Sequence, residues 1–153
     1  MRSILAVLVL AALGCTTGTK QAPPTADARV PIVLGADERD FVLAEMRNFM
    51  EMARVISIGI ADNDMKRVAA AARSVGMAPQ KAESAVPGSL LSRVAKQTPP
   101  AFMKLGFATH SAFDELAIHA EQFGDHDQLN RQLGEIMGHC VACHATYRLP
   151  EPR

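Results

Sequence analysis

The chain has 153 residues, enough for one domain but not for two. Apolar residues make up 48% and aromatic residues only 5%, so the core must be built from aliphatic side chains and some of the eight methionines. Sixteen basic residues balance sixteen acidic ones, which leaves no positive field to attract a nucleic acid and disfavours nucleic-acid binding.

The first fifteen residues have the pattern of a signal peptide. Arg2 gives a charged start, and residues 4–13 form an apolar run that is too short to span a bilayer. The residues "ALGC" resemble the lipobox of bacterial lipoproteins, whose cysteine is lipidated, so Cys15 is the predicted lipidation site. The alternative is an ordinary signal peptide, with Cys15 removed or left as a passive thiol. The residue after it, Thr16, favours an outer-membrane anchor by the same resemblance.

Residues 16–36 are rich in threonine, alanine and proline and have no apolar periodicity. This composition predicts a flexible tether between the anchor and the folded part of the chain. The folded domain is predicted to span residues 37–149, and residues 150–153 form a C-terminal tail.

Helical periodicity begins at Asp37, which is predicted to cap the first helix. One stripe of apolar residues follows in steps of four and three: Val42, Met46, Phe49, Ala53, Ile56 and Ile60. Residues 62–64 break this helix, and a second is predicted for residues 65–76. The alanine run at residues 69–72 suits close packing between helices or between subunits, which makes a homodimer compatible with the sequence.

Residues 77–100 contain four prolines and are expected to be irregular, with a short helix around Leu90 to Val94. A third long helix is predicted for residues 101–123, and a fourth starts at Asp125 or Asp127. The fourth helix carries its own stripe: Leu129, Leu133, Ile136, Cys140, Cys143 and Tyr147. No strand pattern of period two persists. The sequence therefore predicts an all-α fold, an antiparallel four-helix bundle.

The stretch "GHCVACHATYR", residues 138–148, contains the pattern Cys-x-x-Cys-His. This pattern attaches c-type haem, since two thiols can add to the two vinyl groups of one porphyrin edge. The histidine that follows then ligates the iron. We therefore expect one covalent haem c, held by Cys140 and Cys143, with His144 as the proximal iron ligand.

A cysteine pair can also bind zinc or act as a redox dithiol. A structural zinc site needs four ligands, and the sequence offers no second Cys/His pair at matching spacing. A thioredoxin-like dithiol normally starts a helix inside a βαβ unit, whereas these cysteines fall near the end of the last predicted helix. Thiol–disulfide exchange without haem is kept as an alternative function.

The segment "CVACHATYR", near the end of the last of four helices, resembles the cytochrome c′ family. The layout of residues 38–149 matches, although only the haem segment is a specific motif. The resemblance implies that Tyr147 and Arg148 lie around the haem, with Arg148 beside His144. The alternatives are a core position for Tyr147 and, for Arg148, a solvated cation favoured by the helix dipole.

The same resemblance implies that the first helix covers the distal face of the haem. In "EMRNFMEM", Met46 falls in the centre of the apolar stripe, Met50 on its flank and Met52 further round. Met46 is therefore the candidate for a distal ligand or lid, the alternative being a methionine that only fills the core. Either Arg39 or Arg47 fits the arginine that the family places near the haem. The remaining histidines, His110, His119, His126 and His139, are assigned off the inward stripe, as surface or supporting residues.

Together these features predict a monohaem c-type cytochrome that transfers single electrons in the periplasm and is not an enzyme. The alternative is a protein that binds NO or CO at an open or displaceable sixth position. The expected partners are a redox protein or a small diatomic gas, and the outer membrane through the N-terminal lipid.

Replacing Cys15 by serine tests the predicted anchor. Because the lipid supplies the membrane affinity, Cys15→Ser should move the protein from the membrane fraction into the soluble periplasmic fraction, measured by cell fractionation and immunoblotting. Membrane association that survives both Cys15→Ser and a salt wash would contradict a lipid anchor.

Overall fold

The computed structural model describes residues 26–151, and across that range the fold is all-α, as predicted. Its helices are α1 (Ala36–Ala61), α2 (Met65–Ser74), α3 (Met77–Ser84), α4 (Leu90–Gln97), α5 (Pro100–Gln122) and α6 (His126–Thr146). Two short strands, β1 (Val30–Pro31) and β2 (Tyr147–Arg148), pair in parallel and join the two ends of the described chain. The predicted signal peptide, Cys15 and residues 16–25 of the predicted tether lie outside the described residues.

Side-chain caps fix where several helices begin. Asp64 accepts a hydrogen bond from the amide of Arg67 (3.0 Å) at the start of α2, and Asp125 accepts one from Gln128 (3.1 Å) at the start of α6. Asp125 is thus the cap of the last helix. The predicted cap of the first helix, Asp37, was wrong by two residues. The N-cap is Gly35, α1 starts at Ala36, and Asp37 lies inside the first turn.

The predicted irregular segment contains two helices rather than one. The short helix expected around Leu90 to Val94 is α4, but α3 was not predicted. Pro79 does not prevent α3, because it occupies the third position, where an amide has no partner inside the helix.

The larger core cluster packs α2 between the C-terminal half of α1 and α5, and packs α6 against α5. Its most buried members are Ile56, Val68, Ala72, Phe113, Leu116, Ala117 and Leu129. Gly59 and the alanines of α2 allow a close approach, since a Cβ on Gly59 would lie 2.8 Å from a methyl group of Val68. The alanine run therefore packs between helices, one of its two predicted roles.

A smaller core cluster joins the two ends of the described range, residues 26–151, to the first half of α1. Its buried members are Ile32, Leu34, Val42 and Val94. Half-buried side chains from α5 and from residues 147–151, which we call the C-terminal segment, pack around them. The predicted tether therefore ends earlier than residue 36. We call residues 27–34 the strap, because this segment crosses the last turn of α6 and packs onto the domain.

The C-terminal segment is also held by the domain. The guanidinium of Arg39 donates a hydrogen bond to the carbonyl of Pro150 (3.0 Å) and pairs with Glu151 (2.9 Å). No helix within residues 26–151 combines the length and the hydrophobicity needed to cross a membrane.

Candidate functional site

An apolar cleft lies among α1, α4, α5 and α6, between the two core clusters. The space inside it, with the open mouth included, is about 1070 Å³. The lining is mainly aliphatic, aromatic and thioether side chains, with polar groups at a few positions. Such a lining favours the binding of an apolar ligand over that of a small hydrophilic one.

Cys140, Cys143 and His144 all line this cleft, as their spacing of three and four residues on α6 requires. Both thiols are free and half-buried, and the thiol of Cys140 lies 3.7 Å from the carbonyl of Ile136. Burial raises the pKa of both thiols, and for Cys143 the neighbouring Cys140 raises it further. Both are therefore protonated at neutral pH, whereas disulfide exchange requires a thiolate.

Met46 of α1 lines the same cleft, so the fold brings the candidate distal residue and the cysteine motif to one site. Met46 is half-buried and packs against the smaller core cluster. Met50 also lines the cleft, but its side chain is 57% exposed. Met52 does not line the cleft and packs against the larger core cluster.

His110, which was not predicted to belong to the site, is a buried polar group in the cleft wall. His110 was assigned to the flank of its helix, yet it is only 5% exposed and lines the cleft. Its Nδ1 lies 2.8 Å from the carbonyl of Val75, and its Nε2 lies 3.9 Å from the carboxylate of Glu45. Because a carbonyl only accepts, Nδ1 carries the proton of the neutral ring. Burial lowers the pKa of His110, while Val75 and Glu45 act in the opposite direction.

A pattern in the sequence could have revealed His110. It lies three residues before Phe113 and seven before Ala117, which are both fully buried on α5. His139 was also placed off the inner face but is half-buried and lines the cleft. His126 is exposed, as expected, and bonds to the side chain of Asn63 (2.9 Å).

Tyr147 and Arg148 follow α6 in β2 and are not among the residues that line the cleft. The Tyr147 ring packs edge-on against Phe102, with centroids 5.4 Å apart, in the smaller core cluster. Arg148 Nε lies 3.5 Å from a carboxylate oxygen of Asp27 in the strap. Of the two arginines considered on α1, Arg39 is engaged with the C-terminal segment and Arg47 is exposed.

Residues 26–151 contain no group of three or more His, Cys, Asp or Glu side chains that could hold a bare metal ion. Comparisons with protein-family models, with curated proteins and with solved structures found no match to this chain.

The buried histidine generates a prediction about the pH dependence of stability. Because the pKa of His110 is lowered in the folded state, the unfolded chain binds more protons as the pH falls through the ordinary value of 6.5. The free energy of unfolding should therefore fall from pH 7 to pH 5, with a slope of at most about 1.4 kcal/mol per pH unit from this group. His110→Gln should flatten this part of the profile, measured by urea unfolding.

His126→Gln is the matched control, because His126 is exposed on the first residue of α6. It should keep the wild-type profile between pH 5 and pH 7. An unchanged profile in a folded His110→Gln variant would contradict this assignment.

Proposed function

We propose that this chain is a monohaem c-type cytochrome that transfers single electrons at the cell envelope. The observation that carries the proposal is the position of Cys140, Cys143 and His144 on one wall of a large apolar cleft. The identity and spacing of these residues are those of haem attachment. The proposal includes the predicted signal peptide and lipid anchor at Cys15, which together direct the domain to the periplasmic side of the outer membrane.

The residues of the cleft fit a haem group. Its thiols are free, half-buried and protonated, so they are available for two thioether bonds. Its apolar walls suit the faces of a porphyrin, and its open mouth leaves room for the charged propionates in solvent. A bound haem would supply an iron that gains or loses one electron.

The chain's own residues would then have four roles. Cys140 and Cys143 would hold the cofactor covalently, and the imidazole of His144 would bind the iron. The apolar side chains would exclude water from the cofactor, which influences its reduction potential. Met46, in the same cleft but on another helix, would bind the iron or restrict access to it.

The proposal extends to the arrangement of the helices. We infer an antiparallel four-helix bundle of the cytochrome c′ type, in which α1, α2, α5 and α6 are the four helices and α3 and α4 belong to the connection between α2 and α5. Packing of α1 against α2 and α6, and of α5 against α2 and α6, supports this arrangement. We propose no catalytic residues, and the partner in this function is another redox protein.

Removal of the thiols tests haem attachment. Cys140→Ala and Cys143→Ala should each reduce covalent haem, and the double variant should give no haem-stained band on a denaturing gel. The free energy of unfolding of the double variant should also fall by about 3 kcal/mol or more, because the cleft walls lose their apolar contact with the haem. This loss should lower Tm by roughly 10 °C.

Val141→Ala is the matched control for the thiol variants. Val141 lies between the two cysteines but is 69% exposed, so this variant should keep both its haem and its Tm. A wild-type protein without covalent haem, purified from a host that attaches haem c, would refute the cytochrome.

Met46→Ala separates electron transfer from gas binding. If Met46 binds the iron, the ferric wild type should be low-spin with a thioether-to-iron absorption band, and the ferrous wild type should bind CO slowly. Met46→Ala should make the iron high-spin and speed CO binding at least about tenfold, because the sixth position is opened. Met50→Ala, at an exposed position of the same wall, should leave the spectrum unchanged.

Two other results for Met46 would change the conclusion. A high-spin wild type would make Met46 a lid at most and would favour the binding of NO or CO. An unaltered low-spin spectrum in a folded Met46→Ala variant would show that another residue occupies the sixth position.

A further inference from the structure

The strap contacts the residue that carries the proposed iron ligand. The guanidinium of Arg29 donates a hydrogen bond from Nη1 to the backbone carbonyl of His144, at 3.3 Å. These residues are 115 positions apart in the sequence, so the contact depends on the folded position of the strap. It is made on the backbone of His144, an exposed residue at the edge of the cleft lining.

The last turn of a helix needs donors from outside the helix, because its final carbonyls have no partners within it. In α6 the amide of Tyr147 donates to the carbonyl of Cys143, and Arg29 supplies the donor for the next carbonyl, that of His144. A cation at this end is also favoured by the helix dipole. Arg29 therefore acts as a C-terminal cap on the turn that bears the ligand.

The position of Arg29 is fixed by an ion pair. Asp27 accepts hydrogen bonds from Nε (3.0 Å) and Nη2 (2.8 Å) of Arg29, which leaves Nη1 directed to His144. These bonds lower the pKa of Asp27 from 3.8 to about 2, so its carboxylate stays charged at neutral pH. Arg148 lies on the same carboxylate at 3.5 Å, which connects β2 to the pair.

The rest of the strap holds this ion pair in place. The amide of Ile32 donates to the carbonyl of Arg148 at 2.8 Å, and the Ile32 and Leu34 side chains are 2% and 8% exposed. Backbone pairing and burial together give the strap one register against the end of α6. The backbone that carries Arg29 is therefore held against the domain.

We propose that Arg29 is a positioning residue for His144, fixing the last turn of α6 so that the imidazole keeps one orientation toward the iron. The inference rests on the proposed function, because it assigns a purpose to the contact only if His144 is an iron ligand. Asp27 acts through Arg29 by orienting its guanidinium. The strap thereby belongs to the binding site although none of its residues lines the cleft.

The test uses the full-length haem protein and compares Arg29→Ala, Arg29→Lys and Arg54→Ala. Arg54 is the matched control, because it is an exposed arginine in a two-bond pair with a neighbouring carboxylate, Glu51, on α1. The measurements are the iron–imidazole stretching band in resonance Raman spectra, the midpoint potential, and hydrogen exchange at the amide of Ile32.

Arg29→Ala should keep covalent haem, because both cysteines remain, but should shift or broaden the iron–imidazole band and change the midpoint potential. Exchange at Ile32 should become roughly two- to tenfold faster, as expected for loss of one exposed hydrogen bond. Arg29→Lys keeps the cation but loses the fork that bonds Asp27 and His144 at the same time, so it should restore the band only in part. Arg54→Ala should match the wild type.

Two results would overturn the positioning role. One is an Arg29→Ala protein whose iron–imidazole band and potential equal those of the wild type, even if exchange at Ile32 is faster. The other is an equal change in Arg54→Ala. Failure of the proposed function looks different, because the wild type itself would then contain no covalent haem.

Discussion

The constraint on which this structure depends is that the end of α6 must face the start of α1 across an apolar cleft. Cys140, Cys143 and His144 share one face of a helix because they are three and four residues apart. That face is useful only if another helix supplies a second apolar wall, which α1 does with Met46 and Phe49. The rest of the fold holds these two helices in place without filling the space between them.

Two core clusters hold the two halves of α1 in place. The larger one, centred on Phe113 and Leu116, fixes the C-terminal half of α1 against α2 and α5. The smaller one, built around Ile32, Leu34 and Val94, fixes the N-terminal half of α1 near the chain ends. The cleft lies between them because neither cluster extends across it. Its polar wall at His110 is tolerated because Nδ1 is satisfied by a backbone carbonyl.

The long helices could be predicted because each displays a stripe over several turns, and the start of α6 could be narrowed to Asp125 or Asp127 because a capping side chain acts locally. What could not be predicted depends on distant partners. The strands have two residues each, too few to show alternation. The strap looks like a tether by composition, and only the packing of Ile32 against residues far along the chain makes it part of the domain. His110 was missed because it was placed off the inward stripe, although it lies only three residues before the buried Phe113 on the same helix.

The strap connects the two sides of the cleft that the proposed function uses. Through Arg29 it contacts the backbone of His144, and through the cluster of Ile32 and Leu34 it packs near Met46. A displacement of the strap would therefore disturb both residues at once, whereas the thiols of α6 would keep their places on the helix. In the proposed function, haem attachment would thus depend on local spacing, whereas binding of the iron would depend on long-range packing. The local spacing can be read from a short motif, but the packing of Met46 and of the strap depends on residues far along the chain.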